Sequence, residues 1–328
     1  MRTIENASRF ILPLFCATAL AYAGCNKKEN SGTVQKEYVT GKNRFTTIID
    51  GLEREYFVHV PKSYAASTAV PMVFMLHGTS GNGEEFYLNS GWKEVGEANN
   101  LITVFPSSWR YCIIEEDGVR KTTTKWNSQP ASFQFCAGEV PKDDIKFFRA
   151  IITYLSSILN IDPKRIYLVG FSNGGQMAAK CAIELSDKIA AVVESAGSFA
   201  VDSTFAPKRK IAILFQRGNQ DYGPGNDGPA IPMRYFDTLL NTPNLPFQDV
   251  YYRSRSTHVK SFGLQNTYIK SGDTNTAVFA TFKAIPNNPL VEYNVAFIKG
   301  LKHAYPNGTA HPMKAAERNW EWMKQFSQ

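Results

Sequence analysis

Cysteine is scarce in this chain, with five in 328 residues. None forms a CxxC pair, and neither an HExxH motif nor an EF-hand loop occurs, so no metal and no other cofactor is expected. A proline-free apolar run of about 20 residues, the length a spanning helix needs, is not what the N-terminus offers. The run Phe10 to Ala23 is shorter and contains Pro13, which argues against a permanent transmembrane helix. Internal repeats are absent. So is any Lys/Arg cluster interleaved with aromatics, and nucleic acid is set aside as a partner. The balance of 36 Lys and Arg against 29 Asp and Glu, +7 overall, fits many partners. The most basic stretch, Arg253 to Lys260, reads as a solvated face. With 43% hydrophobic and 20% charged residues, what remains is an ordinary folded protein with a large core.

The first residues speak of location. Arg2 and Arg9 precede the apolar run, which ends in small residues and Cys25 before the polar segment Asn26 to Lys36. Residues 1–24 read as a signal peptide. The Ala23-Gly24-Cys25 ending resembles a bacterial lipoprotein signal, with Cys25 as the acylated first residue, although Tyr22 stands where that pattern usually has Leu. Simple secretion is the alternative. Several acyl chains at about 0.8 kcal/mol per buried CH₂ would anchor the chain to a membrane, with residues 25–40 as a tether. The folded domain, 41–328, would then lie outside the cytoplasm. It keeps three cysteines. In an oxidising compartment Cys112 and Cys136 are candidates for a disulfide, with free thiols as the alternative, whereas Cys181 falls mid-helix and reads as a buried thiol.

Strand and helix patterns alternate along this domain. Arg54 to Val60 alternates like a half-buried strand, and Met72 to Leu76, Leu101 to Phe105, Ile166 to Val169, Ala190 to Val193, Ile211 to Phe215 and Val291 to Ile298 are further strand-like runs. Ile145, Phe148, Ile152, Leu155 and Leu159 recur at helical spacing, with Asp143 or Asp144 as N-cap. Helical patterns return at Gln176 to Leu185 and Pro312 to Phe326. This alternation predicts an α/β fold with a mostly parallel sheet covered on both faces. The polar, Gly- and Pro-rich stretch at about 222–290 reads as an insertion on that scaffold.

Gly170-Phe171-Ser172-Asn173-Gly174 is a GxSxG sequence placed between a predicted strand and a predicted helix. A serine on such a turn is held in a strained conformation with its hydroxyl at a helix N-terminus, the arrangement of a nucleophile. In this arrangement acid and histidine follow the serine, leaving His258, His303 and His311 as candidate bases. His303 lies in a loop just past the last predicted strand, while His258 and His311 read as surface or capping residues. Asp221 follows the strand before the insertion and is the candidate acid, with Asp227 as runner-up; Asp187 and Asp202 fit less well. Donors to an oxyanion are expected from the backbone N–H groups of Asn173 and Thr79, the latter in the glycine-rich loop after Leu76, which His77 would hold in place.

These motifs resemble the α/β-hydrolase esterases related to polyhydroxybutyrate depolymerases and to the feruloyl and acetylxylan esterases of carbohydrate esterase family one. The likeness rests on Glu53-Arg54-Glu55-Tyr56, Leu76-His77-Gly78, Trp126-Asn127, Asp143-Asp144-Ile145-Lys146-Phe147, the segment Ile161 to Gly175, and Gly300-Leu301-Lys302-His303-Ala304-Tyr305-Pro306. It implies the α/β-hydrolase fold, Ser172, Asp221 and His303 as a triad, and an exported carboxylic-ester hydrolase acting on feruloyl or acetyl esters of plant polysaccharide. Polyester depolymerisation, a serine peptidase of the same fold and a non-catalytic glycan-binding lipoprotein are the rival readings. The chain departs from the family pattern at Tyr305, at Gly218-Asn219-Gln220-Asp221-Tyr222 and in its longer insertion. Trp126, Tyr222 and Tyr305, with Trp109 and Tyr111, could then form an aromatic wall for a sugar or phenolic ring, with core packing of each ring singly as the alternative reading.

Overall fold

The computed structural model describes residues 38–114, 118–128, 134–226, 228–246 and 248–328. The candidate signal 1–24, Cys25, nearly all of the tether 25–40 and Asp227 lie outside these residues. The elements in chain order are β1 (Gly41–Ile49), β2 (Leu52–Val60), β3 (Val70–Leu76), α1 (Gly83–Asn89), α2 (Trp92–Asn99), β4 (Ile102–Pro106), β5 (Trp109–Ile114), β6 (Arg120–Lys125), β7 (Gln134–Phe135) and α3 (Asp144–Ile158). There follow β8 (Ile161–Phe171), α4 (Asn173–Glu184), β9 (Ala191–Ser195), β10 (Ala212–Gly218), α5 (Phe236–Asn241), α6 (Val250–Phe262), β11 (Ile269–Asp273), β12 (Ala277–Lys283), β13 (Glu292–Ile298) and α7 (Ala315–Met323).

The main sheet has the order β1-β2-β4-β3-β8-β9-β10-β13-β12-β11. Its middle strands, β4 to β13 in that order, run parallel, and both edges are antiparallel hairpins. Strands β3, β9 and β10 are buried along their whole length, as their apolar runs should be in a sheet covered on both faces, and β9 and β10 carry the buried polar residues Glu194, Ser195, Gln216 and Arg217 toward their ends. Two apolar clusters result, one on each face. One packs α3, α4, α5 and α6 against the sheet; the other packs α2 and α7. The architecture is an α/β-hydrolase fold. Among the described residues no helix is long and apolar enough to cross a membrane.

The stretch 222–290 adds α5, α6 and the β11–β12 hairpin, which extends the sheet beyond β13. Arg253 to Lys260 is not simply a solvated face: α6 buries Ser254, Ser256, Thr257, His258 and Val259 and leaves Arg253 and Lys260 outward. The reason is that its buried stripe is made of hydroxyls and an imidazole, which a count of apolar residues passes over. The smaller sheet β6-β5-β7 carries the Cys112–Cys136 disulfide, and Cys181 is a buried free thiol.

Polar ties inside the core set the position of the loops above the sheet. Asp143, not Asp144, caps α3 by accepting from the Lys146 N–H at 2.8 Å. Asp144 instead points inward, where its carboxylate accepts from Arg54 Nη2 at 2.7 Å and from the Asn127 N–H at 2.7 Å. Burial pushes its carboxyl upward, and the Arg54 guanidinium and Asn127 N–H offset only part of that. The same guanidinium lies over the Phe147 ring at 4.2 Å. His77, at the end of β3, accepts from the Ser108 N–H on Nε2 at 3.0 Å and donates from Nδ1 to Gly78 O at 2.6 Å. The tautomer is dictated by these partners, because an amide only donates and a carbonyl only accepts. Burial lowers the imidazole from 6.5 to about 4, against the raising effect of the Gly78 bond, with a further lowering from Arg54.

Two outcomes follow for stability. Replacing Arg54 by Leu strands a buried carboxylate and should cost about 3–5 kcal/mol in urea unfolding, while Arg54→Met with Asp144→Leu should recover much of it; a single-mutant cost below about 1 kcal/mol would contradict this account. Because the folded pKa of His77 lies below its unfolded value, its contribution is complete above pH 6.5 and drains away as the pH falls toward 4. That loss amounts to on the order of 3 kcal/mol. Unfolding free energies at pH 7, 5.5 and 4.5 measure it, and a flat profile over that range is the opposing result.

Candidate active site

The sharp turn between β8 and α4 is built by crowding. A Cβ on Gly170 would lie 1.9 Å from Gly174 O, and one on Gly174 would lie 2.5 Å from His77 O, so neither position admits a side chain. Between them Ser172 has φ 54° and ψ −119°, a left-handed conformation that costs a non-glycine residue about 1–3 kcal/mol. Its N–H is tied to Ser195 O at 2.8 Å, and its carbonyl accepts from the Gln176 N–H at 3.0 Å. The hydroxyl therefore projects at the start of α4.

His303, in the loop after β13, reaches this hydroxyl: Nε2 is 2.9 Å from Ser172 Oγ. Its Nδ1 is 2.8 Å from Asp221 Oδ1. Asp221, just past β10, is fully buried. Its Oδ1 also accepts from the Gly223 N–H at 2.9 Å and lies 3.2 Å from Arg217 Nη2. Arg217 and Gln248 hold the Asp221 backbone carbonyl at 2.8 and 3.2 Å. Burial pushes the Asp221 carboxyl up, but the His303 bond, Arg217 and the Gly223 N–H together outweigh it and keep the group below the ordinary carboxylate range. An ionised carboxylate only accepts, so Nδ1 of His303 carries the proton and Nε2 is free to accept from Ser172.

Thr79 and Asn173 line the same cleft as Ser172 and His303, a space of about 410 Å³. The Asn173 N–H is one of the donors a helix start leaves without a partner in the helix. The Thr79 loop presses against the serine, since a Cβ on Gly78 would lie 3.2 Å from Ser172 Cβ. A larger cavity, about 630 Å³, lies between α7 and strands β10, β13 and β12 and contains none of these residues.

The structure thus brings Ser172, Asp221, His303, Thr79 and Asn173 together, while Asp227 falls outside the described residues. The aromatic wall is not formed as expected. Trp126 is fully buried, donating from Nε1 to His77 O at 2.8 Å and from its backbone to Asn173 Oδ1 at 2.7 Å. Tyr305 is buried against Phe171 and Phe86, with its hydroxyl accepting from Trp92 Nε1 at 2.9 Å. Tyr111 is buried as well, and the Tyr222 hydroxyl turns to Pro229 O at 2.7 Å. Trp126, Tyr305 and Tyr111 each had a partner waiting inside the fold, which sequence position alone does not reveal, whereas Tyr222 meets an exposed carbonyl of its own loop. His258 is another departure, fully buried rather than at the surface, with Nε2 2.9 Å from Glu194 Oε1. His311 remains in the loop before α7, bonded to Lys299 O.

Sequence reasoning passed over Arg217, which braces the acid, and the loop Ala196-Gly197-Ser198 that forms the cleft floor. A Cβ on Gly197 would lie 2.0 Å from Ser172 O. The run of small residues after a buried strand is the signal that could have pointed to it.

Comparison with known proteins places the chain in a family. The chain is 29% identical over 173 residues to feruloyl esterase B of Piromyces equi, covering 51% of this chain and 29% of that one. It is 25% identical over 171 residues to the bifunctional acetylxylan esterase/xylanase XynS20E of Neocallimastix patriciarum, covering 52% and 22%. The chain thus spans less than a third of the length of either relative. Among solved structures, the acetyl xylan esterase from Aspergillus awamori shares the fold with a TM-score of 0.55 at 14% identity, over 87% of this chain and 99% of that one. The family model described as Esterase matches residues 49–261, well over half of the chain, and the chain therefore belongs to the esterase family.

Proposed function

We propose that the chain hydrolyses carboxylic esters through a covalent acyl-enzyme on Ser172. The observation that carries this reading is the unbroken line of hydrogen bonds from Asp221 through His303 to Ser172, 2.8 and 2.9 Å long. In this mechanism Ser172 Oγ attacks the ester carbonyl while His303 Nε2 takes its proton. Asp221 fixes the tautomer and stabilises the imidazolium that forms. The oxyanion is held by the N–H groups of Thr79 and Asn173, each donor contributing about 3 kcal/mol to the transition state. His303 then returns the proton to the departing alkoxide, and water repeats the sequence on the acyl-enzyme.

Feruloyl or acetyl esters of plant polysaccharide are the substrates favoured by the relatives, whose names include feruloyl and acetylxylan esterases. A cleft that presents no aromatic wall from Trp126 or Tyr305 favours the small acetyl group over the feruloyl ring. We further propose export and anchorage to a membrane by acylation of Cys25. The Cys112–Cys136 disulfide supports an oxidising compartment.

Hydrolysis of p-nitrophenyl acetate and methyl ferulate by the fragment beginning after Cys25 tests the reading. Ser172→Ala should reduce turnover to background, and His303→Ala should lower kcat by about 10²–10⁴-fold; activity surviving Ser172→Ala would transfer the chemistry elsewhere. Acetate turnover well above ferulate is the expected order. For location, Cys25→Ala should move the full chain from the membrane fraction to the soluble one in the expressing cells.

A further inference from the structure

Behind the cleft floor, α6 and β13 hold a buried set of hydroxyls that the mechanism does not use. Ser254 Oγ is 2.6 Å from the Tyr293 hydroxyl and 2.6 Å from Ser198 Oγ. Its neighbour His258 stacks on the Tyr293 ring, with centroids 4.4 Å apart, and bonds Glu194 on its far side. Ser254, Tyr293 and His258 are fully buried, and Ser198 is 2% exposed at the cleft wall.

His258 Nδ1 lies 2.7 Å from the Ser254 carbonyl, which only accepts, so Nδ1 carries a proton and cannot receive one from Ser254 Oγ. Among the described residues the Tyr293 phenol is bonded to Ser254 Oγ alone, and a buried phenol left without an acceptor is costly. Tyr293 therefore donates to Ser254. The proton of Ser254 then has Ser198 Oγ as its acceptor, and the Ser198 proton is left over. Ser198 lies one residue from Gly197, which sits against Ser172 O, and two residues past Ala196, whose N–H is fixed to Gln216 O at 2.8 Å. The leftover donor thus belongs to a residue that lines the same cleft as the candidate nucleophile.

We infer that Ser198 is a specificity-determining residue whose hydroxyl, oriented by Tyr293 through Ser254, donates to an ether or hydroxyl oxygen of the bound ester. The substrate class is an ester carrying such an oxygen close to the scissile carbonyl, on the acyl or the alcohol part. This inference rests on the ester-hydrolase reading of the same cleft. A neutral hydrogen bond of this kind is worth roughly five- to tenfold in kcat/KM.

The test uses two matched pairs. p-Nitrophenyl methoxyacetate against p-nitrophenyl butyrate changes one acyl CH₂ to oxygen, and methyl 2-O-acetyl-xyloside against cyclohexyl acetate adds oxygens on the alcohol side. For each pair the ratio of kcat/KM is taken on one preparation, so it does not depend on the folded fraction. Ser198→Ala should lower the ratio roughly five- to tenfold in one pair, and that pair names the side of the ester that is read. Tyr293→Phe, which frees Ser254 to accept from Ser198, should lower the same ratio by a smaller factor, and Ser198→Thr should restore part of it. Ratios unchanged in both pairs, or a change in Tyr293→Phe confined to the other pair, would overturn the inference. If the wild type cleaves none of the four esters, or Ser172→Ala cleaves them equally well, the ester-hydrolase reading falls and this inference with it. An unchanged ratio in an enzyme that Ser172→Ala silences defeats the inference alone.

Discussion

Everything at the site depends on how closely three stretches of backbone approach Ser172. The end of β3, the start of α4 and the loop after β9 come so near that Gly170, Gly174 and Gly197 have no room for a side chain. That closeness fixes a left-handed serine at the strand's end and so aims its hydroxyl. Local strain of about 1–3 kcal/mol is a sizeable share of the net stability of a domain, so the surroundings must hold it. They do so through the Ser172 N–H to Ser195 O bond and the helix-starting bond from Gln176. Relaxing the turn would break both.

The loops around the turn are held by buried polar groups rather than by apolar packing alone. A continuous series runs from Arg54 to Asp144, to the Asn127 N–H, and through the adjoining Trp126 N–H to Asn173. From Trp126 Nε1 it turns to His77 O, and His77 itself clamps Gly78 and Ser108. Buried groups of this kind are weak sources of net stability but give a single geometry, because each unmade bond in the interior is expensive. The two candidate oxyanion donors lie at the two ends of this series. Its function is therefore positional: it sets the distance between the Thr79 loop and the start of α4.

Much of this was legible in the chain. Gly170 to Gly174 between an apolar strand and a helix announces the turn, and the order of Asp221 and His303 behind it follows from where each strand ends. What could not be read were contacts between residues far apart in sequence. Trp126 and Tyr305 lie in segments where a place in the cleft wall and a place in the core read alike, and each finds a partner in the core, Trp126 at His77 and Tyr305 at Trp92. His258 sits in a basic stretch and is nonetheless buried, because a carboxylate 64 positions earlier, Glu194, bonds its imidazole. Asp143 and Asp144 are equivalent caps by sequence, and only Arg54, 90 positions before Asp144, decides which one turns inward. Periodicity reports the face of an element; it is silent about which polar group across the core will meet it.

The division of labour in the cleft follows from the same geometry. Ser172 and Asp221 follow the ends of β8 and β10, and His303 hangs from the loop after β13, all strands of the rigid parallel sheet, where placement within a fraction of an ångström is possible. The far wall comes from the insertion: Asp249, at the start of α6, lines the cleft with Val250 and Arg253 of that helix, and Ser254 stands at its back. Strand β13 joins the two systems, since Tyr293 near its start orients Ser254 while the loop after its end carries His303. A change of insertion can therefore alter the wall of the cleft without disturbing Ser172, Asp221 and His303, provided that the hydroxyl series anchored on Tyr293 is kept. The buried hydroxyls and imidazole of α6 meet the sheet where its own strands carry polar groups, His258 at Glu194 of β9 and Ser254 at Tyr293 of β13.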